Sequence, residues 1–330
     1  MTKIRIISDL HYTSGINGPA YGTDYKTSAL YKVFGKQLEE DVDVTLIAGD
    51  ISESIENHMC FFKSFFENKK VIFIDGNHIV YHTTENGNNP ILSELKKELS
   101  TTFPLTHMFW HYLENNWMWI DYPNVAVIGS TFYTDYKYCD LTLEELNEKA
   151  KAWYAWGCLY GLVTKKFEPY KKLDTKTIRF ETMSDARTRL NDFQWGNQSL
   201  RKRLTPEYYL KLHKLAKKEV KRCHTEILAI NPNAKIILMT HHCLSPNCIS
   251  EEYKRGLTNA SYTSDLENWV DKELPGVKIV ISGHVHNRND FTFGKRNVRY
   301  IINPCGYISY DEPFKGIKFN PNLIINTEEL

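Results

Sequence analysis

Short apolar runs recur along the chain, and nearly all of them end in a polar cluster. The runs are rich in β-branched residues and are continuous rather than alternating, which is typical of strands buried on both faces of a sheet. Six runs are expected to form such strands: Ile4–Ile7, Val44–Ala48, Val71–Ile74, Val125–Ile128, Ile236–Met239 and Val277–Ile281.

Helical patterns lie between several of these strands. Apolar residues at spacings of four and three from Ile55 to Phe66 predict a helix with one apolar face. Further helices are expected to begin at three places: Asn89-Pro90, a capping box of Thr142 with Glu145, and Thr205-Pro206. The last of these should carry an apolar face of Leu212, Leu215, Val220, Cys223 and Ile227. Strands that alternate with helices predict a layered α/β domain.

Residues 141–222 form a segment of a different kind. It has no strand pattern and carries 19 Lys and Arg against 10 Asp and Glu, so its net charge is +9 and the rest of the chain carries −8. We interpret it as a helical insertion or cap on a core formed by residues 1–140 and 223–330. No internal repeat is visible.

Composition narrows the class of protein without indicating a partner. The chain has 330 residues, of which 42% are hydrophobic and 25% charged, and its net charge is +1. These values are those of an ordinary globular protein. The seven cysteines include no C-x-x-C pair, no apolar run is long enough to span a bilayer, and Met1-Thr2-Lys3 runs directly into the first strand. A reducing, cytoplasmic setting without a membrane partner is therefore expected.

Candidate metal ligands follow five of the six predicted strands. They are Asp9 and His11, Asp50, Asn77 and His78, His241, and His284 with His286. Ligands of open α/β sheets bind beyond the carboxyl ends of the strands, so these side chains should converge on one crevice. Carboxylate, amide and imidazole donors without thiolates suit first-row divalent ions. Two such ions, bridged by one carboxylate, can bind a phosphoryl group between them.

Each of these short motifs is weak evidence when taken alone. An Asp-x-His, a Gly-Asp or a pair of histidines often has no function, and even Gly-His-Val-His at a strand end is only suggestive. The evidence is the ordered set, because all of the motifs follow apolar strands within one chain. The sequence therefore predicts a metal site.

The set resembles the five signature blocks of the calcineurin-like metallophosphoesterase superfamily. The blocks are Asp9-Leu10-His11, Gly49-Asp50, Gly76-Asn77-His78, His241, and Gly283-His284-Val285-His286. The run Ile301–Tyr307 is similar to the last strand and turn of many members. The resemblance covers residues 1–135 and 234–310 and implies an αββα sandwich, here with a helical insertion.

The resemblance also implies a role for each residue. Asp9, His11, Asp50 and His286 would hold one ion, and Asp50, Asn77, His241 and His284 would hold the other. Asp50 would bridge the two ions, and His78 would act on the substrate rather than bind metal. Members commonly have an acidic residue after Gly-Asn-His, where this chain has Ile79, and Glu53 is the nearest acid after Gly-Asp. His242 is the less favoured ligand of its pair.

The resulting hypothesis is a metal-dependent hydrolase of phosphate esters. A hydroxide bridging two divalent ions would attack phosphorus in a nucleotide-like phosphodiester or phosphomonoester, and His78 would protonate the leaving oxygen. Mn²⁺ is the expected ion, and Fe, Zn²⁺, Co²⁺ and Ni²⁺ are compatible with the same donors.

Three other functions remain open. The basic segment, with aromatic residues Trp153, Tyr154, Trp156 and Trp195, would suit a nuclease that acts on DNA or RNA. A non-catalytic scaffold and a phosphoprotein phosphatase are further alternatives, although the full ligand set disfavours the first and no longer Ser/Thr phosphatase signature supports the second. The natural substrate, the oligomeric state and the role of residues 141–222 cannot be predicted from the sequence.

Overall fold

The computed structural model describes residues 1–13, 16–20, 23–81, 92–159, 167–194, 204–315 and 318–330. The strands are β1 Lys3–Ile7, β2 Val44–Ala48, β3 Val71–Ile74, β4 Trp110–Tyr112, β5 Asn116–Asp121, β6 Val125–Ser130, β7 Lys235–Thr240, β8 Val277–Ser282, β9 Asn289–Phe293, β10 Val298–Ile302 and β11 Ile324–Asn326. The helices are α1 Ala29–Leu38, α2 Ile55–Phe65, α3 Leu92–Thr102, α4 Leu143–Leu159, α5 Thr175–Arg189, α6 Asn191–Gln194, α7 Pro206–Ile230, α8 Glu267–Glu273 and α9 Glu312–Lys315. Within these ranges, no helix combines the length and apolar character needed to cross a membrane.

The strands form two sheets with parallel centres. The first sheet has the order β11-β1-β2-β3-β4, and only β11 runs antiparallel to its neighbour. The second has the order β5-β6-β7-β8-β10-β9, with antiparallel strands at both edges. The six predicted strands are confirmed as β1, β2, β3, β6, β7 and β8, and they occupy central positions in the two sheets.

Three apolar clusters separate the layers. Alternate residues of both sheets, such as Ile4, Leu46, Ile237 and Ile279, meet in a cluster between the sheets. The other face of the first sheet packs in a cluster with α1, α2 and α3, and that of the second sheet packs with α7 and α8. The order helix, sheet, sheet, helix confirms the expected αββα architecture. Because both faces of each sheet are covered, the central strands read as continuous apolar runs.

The helix starts follow the predicted capping rules. Thr142 Oγ1 accepts a hydrogen bond from the Glu145 backbone N–H at 3.2 Å, and the Glu145 carboxylate accepts one from the Thr142 N–H at 2.9 Å. Thr205 caps α7 by accepting a hydrogen bond from the Tyr208 backbone N–H at 3.2 Å, with Pro206 at the first helical position. The expected start at Asn89-Pro90 lies outside the described residues. The expectation for Leu215 is wrong: it is 45% exposed, and the neighbouring His213 is buried instead.

The described part of segment 141–222 contains α4, α5, α6 and the first part of α7, joined by irregular chain, and no strand. Residues of α5, α6 and α7, among them Ala186, Phe193 and Tyr209, belong to the same apolar cluster as the outer face of the first sheet. Helix α7 continues past residue 222, the predicted end of the insertion, and covers the second sheet. The segment therefore packs directly on the sandwich, and its status as a separate insertion stays a prediction.

Candidate metal centre

The carboxyl ends of five central strands meet at one edge of the sandwich. The first sheet contributes the residues after β1, β2 and β3, and the second sheet contributes those after β7 and β8. All eight predicted site residues lie at this edge and contact one another: Asp9, His11, Asp50, Asn77, His78, His241, His284 and His286. The geometry therefore brings together every residue that the strand ends predicted.

Tight turns direct these side chains inward. Five donor residues have left-handed backbone angles: Asp9 (φ 52°), His11 (φ 45°), Asp50 (φ 48°), His284 (φ 70°) and His286 (φ 42°). This region is unfavourable for residues with a Cβ, and such strain is characteristic of functional sites. Two glycines leave the room that the carboxylates need. A Cβ on Gly76 would overlap Asp50 Oδ1, and one on Gly283 would lie 2.6 Å from Asp9 Oδ2.

The first group of donors is Asp9, His11 and His286. One ligand atom from each lies within 4.8 Å of the others. The Nε2 atoms of His11 and His286 face each other at 2.9 Å, and His286 Nε2 lies 3.6 Å from Asp9 Oδ1. Asp9 Oδ2 is fully buried without a hydrogen-bond partner. An orphaned carboxylate oxygen beside two imidazole nitrogens fits a cation site.

The second group of donors is Asp50, His241 and His284, and Asp50 is also within reach of His11 and His78. His241 Nε2 lies 3.3 Å from Asp50 Oδ2 and 3.0 Å from Asn77 Oδ1. Asp50 is thus common to two donor groups.

Hydrogen bonds on the far side of two imidazoles orient them. His286 Nδ1 lies 2.9 Å from Glu312 Oε2, and His241 Nδ1 lies 2.9 Å from the Ala48 carbonyl oxygen. Each Nδ1–H donates to its acceptor, which leaves the Nε2 lone pair directed into the site when the ring is neutral. Carboxylate or carbonyl partners of this kind are typical of metal-bound histidines.

Burial and mutual charges shift the pKa values of the site residues. Burial raises the pKa of Asp9, against the lowering effect of His286. Burial would also raise the pKa of Asp50, but the neighbouring His241 and His78 hold it well below its usual value. Burial would lower the pKa of His241, yet the Asp50 carboxylate raises it to about 9. The pKa values of His11 and His284 are well below normal because both rings are buried among other histidines.

His78 faces the same centre but has acidic neighbours on both ring nitrogens. Its Nδ1 lies 3.6 Å from Glu53 Oε1, and its Nε2 lies 3.8 Å from Asp50 Oδ2. Its backbone N–H donates to Asp50 Oδ1 at 3.1 Å. Burial would lower the pKa of His78, but the charges of Asp50 and Glu53 raise it. The side chain is 14% exposed, so a bound substrate could reach it.

His242 lies behind the site. Its Nδ1 lies 3.3 Å from the Thr131 carbonyl oxygen, and its ring packs on Tyr133 and His284. Burial lowers the pKa of His242 to about 3.

Several residues that support the site were not predicted. Glu312 accepts from His286, and Asp192 of α6 and Tyr81 both contact the amide nitrogen of Asn77. Tyr307 stacks on His11 with ring centroids 4.4 Å apart, and Tyr262 lies 4.7 Å from His284. Asp192 and Glu312 lie on two short helices, and the other residues lie in loops. Two residues had a sequence signal: Glu53, noted as the nearest acid after Gly-Asp, and Tyr307, which ends the run Ile301–Tyr307.

The fold and the site define a class of layered α/β proteins whose Asp, Asn and His side chains gather beyond the strand ends. Within that class, the chain belongs to the calcineurin-like phosphoesterase family, because the model of that family matches residues 2–288. Members of this family typically bind divalent metal ions.

Two solved structures are similar to this chain. The phosphopantetheinyl hydrolase of Mycobacterium tuberculosis is 16% identical in sequence, with a TM-score of 0.58 over 95% of this chain and 92% of that chain. The purple acid phosphatase of yellow lupin (Lupinus luteus) is 13% identical, with a TM-score of 0.39 over 91% of this chain and 43% of that chain. No match was found among curated proteins. At 16% identity, the likeness to the hydrolase concerns the fold alone.

Proposed function

We propose that the protein is a dinuclear-metal phosphoesterase that hydrolyses a small phosphomonoester or phosphodiester. The observation that carries this proposal is the position of Asp50. It lies within ligand distance of His241 and His284 on one side and of His11 on the other. A carboxylate that is common to two donor groups can bridge two cations, and membership of a phosphoesterase family supplies the reaction class.

The ligand assignment follows the two donor groups. Asp9, His11, Asp50 and His286 hold one ion, and Asp50, Asn77, His241 and His284 hold the other. Two divalent ions, when bound, neutralise the phosphoryl oxygens and make water nucleophilic near neutral pH. The mixed oxygen and nitrogen donors suit Mn²⁺ and are compatible with Fe, Zn²⁺, Co²⁺ and Ni²⁺.

His78 provides the proton for the leaving group. The Glu53 carboxylate, 3.6 Å from Nδ1, favours the charged imidazolium, so that Nε2–H is available to the departing oxygen. The proton moves from Nε2 to the alkoxide, and the neutral imidazole then takes up a proton from solvent. Glu53 is thus the positioning partner of the general acid.

A small substrate is favoured over nucleic acid, and some cations of the basic segment are paired with acids. Ion pairs join Lys172 to Asp174, Arg187 to Glu207, Arg189 to Asp185 and Lys221 to Glu273. Of the aromatic residues suggested for base stacking, Trp195 lies outside the described residues. Trp153 is half-buried on α4 and lines a cavity of about 430 Å³ with Lys149 and Arg189.

The bridging role of Asp50 is tested by metal content. Asp50→Asn should reduce the bound transition metal from two ions per chain to one or none after dialysis, because an amide bridges two cations poorly. Asp41→Asn is the matched control, since Asp41 is 98% exposed. Full occupancy in Asp50→Asn, measured by elemental analysis, would refute the bridging assignment.

The acid role of His78 is tested by separating turnover from metal binding. His78→Asn should lower kcat by about 10²–10⁴-fold and retain both ions. Unchanged turnover would exclude the acid role.

The substrate class is tested with Mn²⁺ and three substrates: an aryl phosphomonoester, an aryl phosphodiester and single-stranded DNA. Hydrolysis of an aryl ester without DNA cleavage is expected. DNA cleavage that falls steeply with added salt would instead support the nuclease function.

A further inference from the structure

Helix α6 places a buried carboxylate beside the candidate metal centre. Asp192 is the second residue of this helix and is 5% exposed, although it belongs to the basic segment far along the chain from the strand-end motifs. Its Oδ1 accepts a hydrogen bond from Asn77 Nδ2 at 3.0 Å. The Tyr81 hydroxyl also donates to Asp192 Oδ1, and it accepts from Asn77 Nδ2 at 3.0 Å. Three side chains therefore form a closed hydrogen-bonded triangle.

This triangle determines which end of the Asn77 amide faces the centre. Both acceptors, the Asp192 carboxylate and the Tyr81 oxygen, lie on the nitrogen side of the Asn77 amide and accept from Nδ2. The carbonyl oxygen Oδ1 then points the other way, toward His241 Nε2 at 3.0 Å. A flipped amide would set its oxygen against the Asp192 carboxylate, and two acceptors repel each other. Only one orientation of Asn77 presents an oxygen to a cation.

The residue that follows Asn77 and His78 along the chain is not an acceptor for the Asn77 amide. Ile79 stands directly after Gly76-Asn77-His78 and is 2% exposed within the outer apolar cluster. Its side chain has no hydrogen-bond acceptor and therefore cannot orient the Asn77 amide. The helical segment supplies the acceptor instead.

We propose that Asp192 is a positioning residue that fixes Asn77 as a ligand of the second ion, so that the helical segment completes the metal centre. This inference rests on the proposed function. It gives the segment 141–222 a role in the metal centre, because displacement of α6 would release the amide and weaken one of the two sites.

The test compares Asp192→Ala with the matched control Glu148→Gln, an exposed acid on α4 of the same segment. Loss of an orienting partner behind a ligand typically weakens metal binding by about 10–100-fold. We therefore expect Asp192→Ala to bind the second Mn²⁺ about 10–100-fold more weakly in calorimetric titration, with the first site unchanged. At saturating Mn²⁺ most of kcat should return with KM unchanged, which a merely structural defect would not show.

Asp192→Asn keeps the side-chain volume and a carbonyl acceptor, so it should weaken the second site less than Asp192→Ala, and it carries the test if Asp192→Ala does not fold. Two outcomes are distinguishable. If the wild-type protein binds two ions and both Asp192 variants bind them with unchanged affinity, the positioning role is overturned and the proposed function stands. If the wild-type protein binds no Mn²⁺, the proposed function fails and this inference fails with it.

Discussion

At the scale of single residues, the donor side chains occupy strained backbone positions. His284 has φ 70°, and its backbone N–H donates to Asp9 Oδ1 at 2.9 Å. A residue with a Cβ loses about 1–2 kcal/mol in this region relative to its preferred conformation. The fold tolerates this cost because the turn aims the imidazole at the centre.

Strain at His284 predicts an unusual order of stability. In the metal-free protein, His284→Gly should be more stable than His284→Ala by about 1 kcal/mol, because glycine adopts positive φ without penalty. Urea unfolding of both variants in EDTA measures the difference. The opposite order, which is normal elsewhere in a chain, would show that the turn is unstrained.

A buried histidine away from the centre predicts a pH dependence. His58 is 1% exposed, and its Nδ1 lies 2.7 Å from the Ser54 carbonyl oxygen. Burial lowers the pKa of His58 to about 4 from 6.5. The unfolded chain therefore binds a proton between these values and the folded chain does not, so stability is complete above pH 6.5 and falls as the pH drops toward 4.

The corresponding experiment uses His58→Gln. Between about pH 7 and about pH 5, the wild-type protein should lose about 2 kcal/mol more stability than the variant, since glutamine has no proton to gain. Denaturant unfolding at several pH values measures both curves. Parallel curves would mean that His58 can be protonated in the folded protein.

Residues that follow strands could be predicted from the sequence, whereas their supporting partners could not. Asp9, Asp50 and His241 stand directly after apolar runs, so their common location follows from the strand ends alone. Asp192 and Glu312 contact the centre only because α6 and α9 are folded over it. No local pattern encodes such long-range contacts.

At the scale of elements, six of the seven central strands were predicted as apolar runs, and the edge strands were not. Strands covered on both faces are continuous apolar runs, which the sequence shows directly. β5, Asn116–Asp121, is half-exposed throughout, and β9 alternates between exposed and half-buried residues. An edge strand has a neighbour on one side only, so it needs less apolar surface and leaves a weaker pattern.

Helix α3 is tied to the sandwich by a buried ionic network. Lys96 Nζ lies 2.8 Å from Glu114 Oε1 and 3.4 Å from Asp75 Oδ2. Thr131 donates to Asp75 Oδ1 at 2.6 Å through its hydroxyl, and its carbonyl oxygen accepts from the His241 backbone N–H at 3.3 Å. The network therefore connects α3 with the turn that carries a proposed ligand.

Replacement of Lys96, the cation of this network, should destabilise the folded protein. Lys96→Met leaves two buried carboxylates without their counter-charge, and breaking such a pair costs about 3–5 kcal/mol. Lys97→Met is the control, because the adjacent lysine is exposed. Adding Glu114→Gln to Lys96→Met should restore part of the loss in urea unfolding. Equal stability of the two lysine variants would contradict the assigned role of Lys96.

At the scale of the whole molecule, the layered architecture followed from the resemblance, but the relation of the basic segment to it did not. Its charge and lack of strands distinguished residues 141–222, yet helix α7 runs through the expected boundary and covers the second sheet. Composition shows where a segment differs from the rest of the chain. It does not show which helices of that segment pack their apolar faces against the main core.

The proposed ions should stabilise both sheets together. Asp9, Asp50 and Asn77 extend from the first sheet, and His241 and His284 extend from the second, so each ion would link the two halves of the sandwich. A ligand that binds only the folded state adds about 2.7 kcal/mol at a hundredfold excess over its dissociation constant. Removal of metal by EDTA should therefore lower Tm by several degrees in a single transition, and Mn²⁺ should restore it.

Asp50→Asn is the control for this effect and should show little change in Tm with EDTA or Mn²⁺. Circular dichroism and tryptophan fluorescence should report the same transition in the wild-type protein, because Trp110 lies in the first sheet and Trp117 in the second. Two separate transitions, with only one sensitive to metal, would mean that the ions are bound by one sheet alone. That result would be incompatible with a bridging carboxylate after β2 and histidine ligands after β7 and β8, since both ions depend on the same junction between the sheets.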